Sequence, residues 1–171
     1  MTGVGAEKDS TPMIDTIVSL WLAVMLTFAR REPRERLESV ARTVIAATSD
    51  PQEQALLLTV SLYETGFGRR GIPFGISSVN RSGHRTMLDD ALASLRILRR
   101  SRAMCRQIPM LLGHYHHGNG CRPDLYSIRE ADTVRRMVSL YNREAFIAGA
   151  PVAPPVAVYA LDRHRGRSRR R

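Results

Sequence analysis

The sequence predicts a mainly α protein. Three observations carry that prediction. Apolar residues recur at steps of three and four through most of the chain. Asp, Thr, Ser and Pro stand ahead of these stretches, where helices start. One stretch, "QALLLTVSLY", is apolar on nearly every side and ends at "ETGFG". A helix without a polar face must be covered by its neighbours. At 171 residues the chain is about one domain long, with 43% hydrophobic residues, enough to bury a core.

Residues 1–11 read as a flexible lead, 12–150 as the helical domain, and 151–171 as a proline-rich linker with an arginine-rich tail. The first helix opens at Thr11 or Pro12 and runs to about Arg31. Its stretch "MIDTIVSLWLAVMLTF" holds Asp15 and falls short of the ~20 apolar residues that span a bilayer, so a packed amphipathic helix is expected, ahead of an uncleaved export or anchor segment. Pro33 opens the second helix, with Leu37, Val40, Ala41, Val44 and Ile45 on one face. The third helix covers 51–65, with Asp50 as N-cap, Pro51 in the first position and Glu53 completing a capping box. Gly66 and Gly68 stop it. The stretch to residue 85 lacks helical periodicity and is expected to be loop or a short hairpin.

Thr86 and Asp89 cap a fourth helix whose apolar face reads Leu88, Leu92, Leu95 and Leu98, with Arg96, Arg99, Arg100 and Arg102 on the solvated side. Pro109 opens a short fifth helix, "PMLLGHY", and "HHGNGCRPDLY" reads as loop. Ser127 and Glu130 are expected to cap the sixth helix, which buries Ala131, Val134, Val138, Tyr141 and Ala145 and stops at Gly149 and Pro151.

The formal net charge is +10, carried almost entirely by arginine. Six arginines fall within residues 163–171, so the rest of the chain holds only about +4. Such a tail can contact nucleic acid or another anionic polymer. The two cysteines, Cys105 and Cys121, are too few for a disulfide scaffold and form either one bridge in an oxidising compartment or two thiols. A bridge would tie the end of the fourth helix to the loop after Tyr115. His114, His116, His117 and Cys121 lie close together, but their spacing matches no standard zinc site, and neither a metal nor a cofactor is expected. No serine-hydrolase elbow, phosphate loop or dinucleotide fingerprint is present.

Glu64 stands in the last turn of the most apolar helix. A carboxyl group withheld from water there would keep its proton to higher pH, as a general acid requires. The chain continues "ETGFGRRGIPFGISS" and later "LLGHYHHGNGC". In order and rough spacing, over residues 35–145, this resembles the lysozyme-like superfamily, in particular the lytic transglycosylases and related cell-wall muramidases. Their pattern is a catalytic Glu in an E-S-x-F context, then G-L-x-Q, then Y-N-x-G. The resemblance implies a lysozyme-like fold, peptidoglycan glycan strands as substrate and partner, and Glu64 as acid and base. It assigns substrate contacts to Thr65, Phe67, Phe74, Gly75, Ile76, Ser77, Tyr115, His116 and Gly118. It further implies a periplasmic, extracellular or virion-associated setting. The chain departs from the pattern at Thr65, at Ser77 and Ser78 where glutamine is expected, and at His116 where asparagine is expected. No acid occurs from Thr65 to Leu88, which favours a single-acid mechanism over a two-carboxylate one. The competing expectations are a non-enzymatic basic helical protein that binds through its arginine tail, and a degenerate lysozyme-like protein that holds glycan without cutting it.

Overall fold

A computed structural model of the chain describes residues 11–74, 86–118 and 120–154. They form six helices: α1 (Thr11–Phe28), α2 (Arg34–Ala47), α3 (Pro51–Thr65), α4 (Met87–Met104), α5 (Ile108–His117) and α6 (Leu125–Ala148). No strand occurs among the described residues.

The apolar run of α3 organises the rest. Every residue from Glu53 to Ser61 is buried. No side of this helix can face water, so α2, α4 and α6 pack against it. Helix α1 lies across α2 and α6, and α5 across α4 and α6. Trp21, Met25, Leu37, Leu57, Leu58, Leu95, Leu98, Leu112 and Tyr141 are fully or almost fully buried in one continuous core. Trp21 stacks on Tyr141 with ring centroids 4.5 Å apart, joining α1 to α6. Helix α1 is thus a packed helix, and no helix among the described residues is long and apolar enough to cross a membrane.

Several polar groups that the core takes in are hydrogen-bonded to one another. The Trp21 indole donates to Gln54 Oε1 at 2.6 Å, and Gln54 Nε2 donates to the Thr48 carbonyl at 2.7 Å. Thr48 Oγ1 donates to Glu53 Oε2 at 2.6 Å. Arg99 closes the chain with two hydrogen bonds to Glu53, each 2.8 Å. Two sequence expectations change here. Asp50 does cap α3, accepting from Gln52 N at 2.8 Å, but Glu53 turns inward to Thr48 and Arg99 instead of completing a capping box. Arg99 is therefore no purely solvated residue. Its neighbours Arg96 and Arg100 are exposed as expected.

Other boundaries move for local reasons. Helix α4 buries Ala91, Ser94, Leu95, Leu98 and Ser101, so the inward face is turned from the all-leucine line, and Leu88 lies at its exposed edge. Small residues on that face let α4 approach its neighbours closely. Helix α5 continues two residues past Tyr115, so His116 and His117 are helical. Helix α6 starts at an Asp124–Ser127 capping box, three residues before the expected cap, and Glu130 is free for another use. Residues 151–154 stay on the domain: Ala153 is buried, and its N–H and carbonyl pair with the Asn142 side chain at 2.7 and 2.9 Å. The remainder of the expected linker and tail, 155–171, lies outside the described residues.

Cys105 and Cys121 are joined by a disulfide, with Cα atoms 5.4 Å apart across a separation of 16 residues. The bridge ties the end of α4 to the segment between α5 and α6. That segment passes so close to α5 that a Cβ at Gly113 would collide with the Arg122 carbonyl.

Two outcomes follow. Reducing the disulfide, or replacing both cysteines by serine, should lower unfolding free energy by ~3 kcal/mol in urea titrations, with α-helical circular dichroism retained. Arg99→Ala should cost about 1–2 kcal/mol at neutral pH, because the exposed guanidinium is screened by water. The Arg99 hydrogen bonds hold the Glu53 carboxyl below its usual range, against the opposing effect of burial. That stability is present above the ordinary carboxylate range and is lost as pH falls through the lowered value. The variant should therefore lose less stability on acidification than the native chain.

Candidate functional site

Helix α3 must end abruptly, because its last turn reaches the edge of the core. Gly66 takes the left-handed conformation (φ 60°) and its N–H bonds the Leu62 carbonyl. Phe67 follows with φ 54°, a conformation costly for a bulky side chain. Its ring is completely buried, which offsets that cost. Thr65 fastens the turn. Its hydroxyl accepts from Gly68 N at 2.9 Å and lies 3.1 and 3.2 Å from the carbonyls of Ser61 and Pro73, to which it donates. Phe74 is fully buried as well, and its carbonyl accepts from Ser94 at 2.9 Å.

This turn holds Glu64 at the surface edge of the central helix. Its side chain is 32% exposed. Glu64 Oε1 lies 3.3 Å from His116 Nδ1, and His116 Nε2 lies 2.7 Å from Glu130 Oε2. Glu130 is entirely buried in the second turn of α6, and His116 is 11% exposed in the last turn of α5. Three helices thus bring one imidazole between two carboxylates, one facing water and one not.

The tyrosines complete the setting. The rings of Tyr115 and Tyr126 each stand 5.2 Å from the His116 ring, in edge-on arrangements. Tyr63 meets Tyr126 edge-on at 5.4 Å, and its hydroxyl pairs with Thr133 Oγ1 at 3.0 Å. Arg70 donates to the Tyr63 carbonyl at the C-terminal end of α3. His117 pairs with Asp124 at 2.9 Å, a second link between α5 and α6.

The electrostatics follow from burial and charge. Burial opposes a charge on His116, but the bonds to Glu130 and Glu64 outweigh it and push the ring up to about 9. Burial also pushes Glu130 up, against the hydrogen bond from His116. The two upward shifts have different origins: neighbouring carboxylates for His116, and burial for Glu130. Burial, followed by the charges of Glu130 and Glu64, pushes the Tyr126 phenol up to about 12. Tyr115 is raised by burial too, with a hydrogen bond to Ser94 opposing. Both phenols therefore stay neutral beside the carboxylates at physiological pH. Glu130 Oε1 and Ser61 Oγ are buried with no hydrogen-bond partner among the described residues.

The structure brings together Glu64, Tyr115 and His116 from the residues singled out in the sequence. It separates the others. Phe67 and Phe74 are core residues and cannot line sugar subsites, since neither presents surface to solvent. Thr65 is buried and spends its hydroxyl on the turn. Gly118 is the left-handed cap of α5 and is exposed. Gly75, Ile76 and Ser77 lie outside the described residues. The protein-wide desolvation expected for Glu64 belongs instead to Glu130, because Glu64 sits at the rim. Glu130, Tyr126 and Tyr63 were not singled out by sequence. A signal for Glu130 existed: it falls on the inward stripe of α6 with Ser127, Ala131 and Val134, where a carboxylate is out of place.

Among the described residues no group of three His, Cys, Asp or Glu could hold a metal ion. A shallow groove of about 430 Å³ between α1 and α6, lined by Asp15, Ser19, Ala23, Glu144 and Ala148, contains none of the candidate residues. Comparison with known protein families, curated proteins and solved structures finds no match.

If Thr65 serves the turn, Thr65→Val should lower stability by about 1–3 kcal/mol, whereas Thr65→Ser should stay close to native. Thermal and urea unfolding of both variants checks this.

Proposed function

We propose that the protein is a lysozyme-like, peptidoglycan-cleaving enzyme of lytic transglycosylase type, with Glu64 as its single acid and base. One observation carries the reading. The only carboxylate on the final turn of the buried helix α3 stands partly open to solvent, on a turn fixed by Thr65 and Phe67, with the rest of its helix immobilised in the core. A proton donor in glycoside cleavage needs that combination of rigidity and access.

The reaction is written for the bond between MurNAc and GlcNAc. The Glu64 carboxyl gives its proton to the glycosidic oxygen, and the C1–O bond breaks with its electron pair going to that oxygen. The Glu64 carboxylate then takes the proton of the sugar's own 6-hydroxyl while the hydroxyl oxygen bonds to C1. The product carries a 1,6-anhydro end, and Glu64 regains its proton. Glu130 does not supply the second carboxylate of a hydrolase: it is buried behind the His116 ring and cannot approach an anomeric carbon. The disulfide suits a periplasmic, extracellular or virion-associated setting.

Digestion of purified peptidoglycan, with mass spectrometry of the soluble products, tests the reading. Native protein should release anhydro-sugar ends, and Glu64→Gln should release at least ~100-fold less. Reducing ends would instead point to hydrolysis. Release by neither protein would overturn the reading and leave the basic binder, which predicts steeply salt-dependent binding lost on removing residues 163–171.

A further inference from the structure

The geometry points to His116, anchored by Glu130, as a positioning residue that aims the Glu64 carboxyl through its Nδ1. This rests on the reading of Glu64 as the acid and base. A fully buried carboxylate with one oxygen unsatisfied is expensive, and a well-packed apolar residue would stabilise the fold more. The one side-chain partner of Glu130 among the described residues is His116 Nε2, at 2.7 Å. An acceptor there favours a proton on Nε2, and the Tyr115 and Tyr126 rings pack against the imidazole with centroids 5.2 Å away. The remaining nitrogen, Nδ1, is thereby directed to Glu64 Oε1 at 3.3 Å.

Every helix packed around the ring contributes to its charge state. From α3 it meets Glu64, with Tyr63 behind Tyr126. From α6 it meets Glu130 and Tyr126, and from its own helix Tyr115 and His117. His117 is itself paired with Asp124, and Arg70 is turned to the Tyr63 carbonyl. Carboxylates prevail, and the C-terminal end of α5 adds its own negative partial charge. The ring is pushed from 6.5 up to about 9 against the effect of burial, so His116 keeps its charge beside Glu130 until pH rises through about 9.

The consequence for the reaction is differential. When Glu64 gives its proton to the glycosidic oxygen it becomes an anion, and the Nδ1–H bond to Oε1 strengthens at that moment. His116 gives up no proton of its own and touches no sugar atom. Its removal should therefore lower turnover more than substrate affinity.

The test combines two readouts. The first is a 15N NMR titration of the His116 ring in the native protein, Glu64→Gln and Glu130→Gln. The ring should titrate near 9 in the native protein and fall toward 6.5 in both variants. The second is steady-state cleavage of soluble glycan strands. His116→Ala should lower kcat by ~10–100-fold with KM within ~3-fold, and His116→Asn, whose amide can replace Nδ1–H, should recover most of the loss. A titration unmoved by Glu64→Gln, a native kcat in His116→Ala, or a loss confined to KM would each overturn the inference. If the titration moves as stated but the native protein cleaves no glycan, the reading of Glu64 as a glycan-cleaving acid has failed and the positioning role falls with it, while the pairing stands.

Discussion

The apolar surface of α3 is the constraint on which the rest of the structure depends. A helix buried from Glu53 to Ser61 needs cover on every side, and the packing of α2, α4 and α6 answers that need. Its two ends are then the only places where it can meet water. At the first end, Asp50 and the Thr48–Glu53–Arg99 network satisfy the polar groups. At the other, Gly66 and Phe67 turn the chain back, and Glu64 is left at the rim. The position of the candidate acid is therefore a consequence of core packing, and its rigidity has the same source.

Two kinds of buried polar group coexist in this core. The Trp21–Gln54–Thr48 chain is satisfied at each donor and joins α1 to the start of α3. It behaves as a structural network whose worth lies in specifying one arrangement. Glu130 differs, with one oxygen bonded to His116 and the other unpartnered among the described residues. A fold selected only for stability would have an apolar side chain there. The closed network lies at the start of α3, and the incompletely satisfied group lies beside the candidate site at its other end.

The disulfide and the close approach at Gly113 act on that site indirectly. The segment between α5 and α6 is held at Cys121 to the end of α4 and lies against α5 at Arg122. Its far end is Asp124, which both caps α6 and pairs with His117. The last turn of α5 and the first turns of α6 are thus fixed relative to each other, and the 2.7 Å contact between His116 and Glu130 depends on that registration.

Helix identity was legible in the sequence because it is a local property. The 3.6-residue spacing, the caps at Asp50 and Thr86 and the stop at Gly66 act within a few residues, and all six helices occupy the expected regions. The prominence of Glu64 was legible for the same reason, since it closes the most apolar run in the chain. What the sequence could not decide was which side chains share a space. Glu53 meets the requirements of a capping box, and only the approach of Arg99 draws it inward. Phe67 and Phe74 look equally fit for a cleft or a core, and only the fold of the turn buries them. Glu130 lies 66 positions from Glu64, and neither residue refers to the other in any local pattern. Their meeting through His116 is set by the packing of α3, α5 and α6, and burial, which decides where protons are held, exists only once that packing is complete.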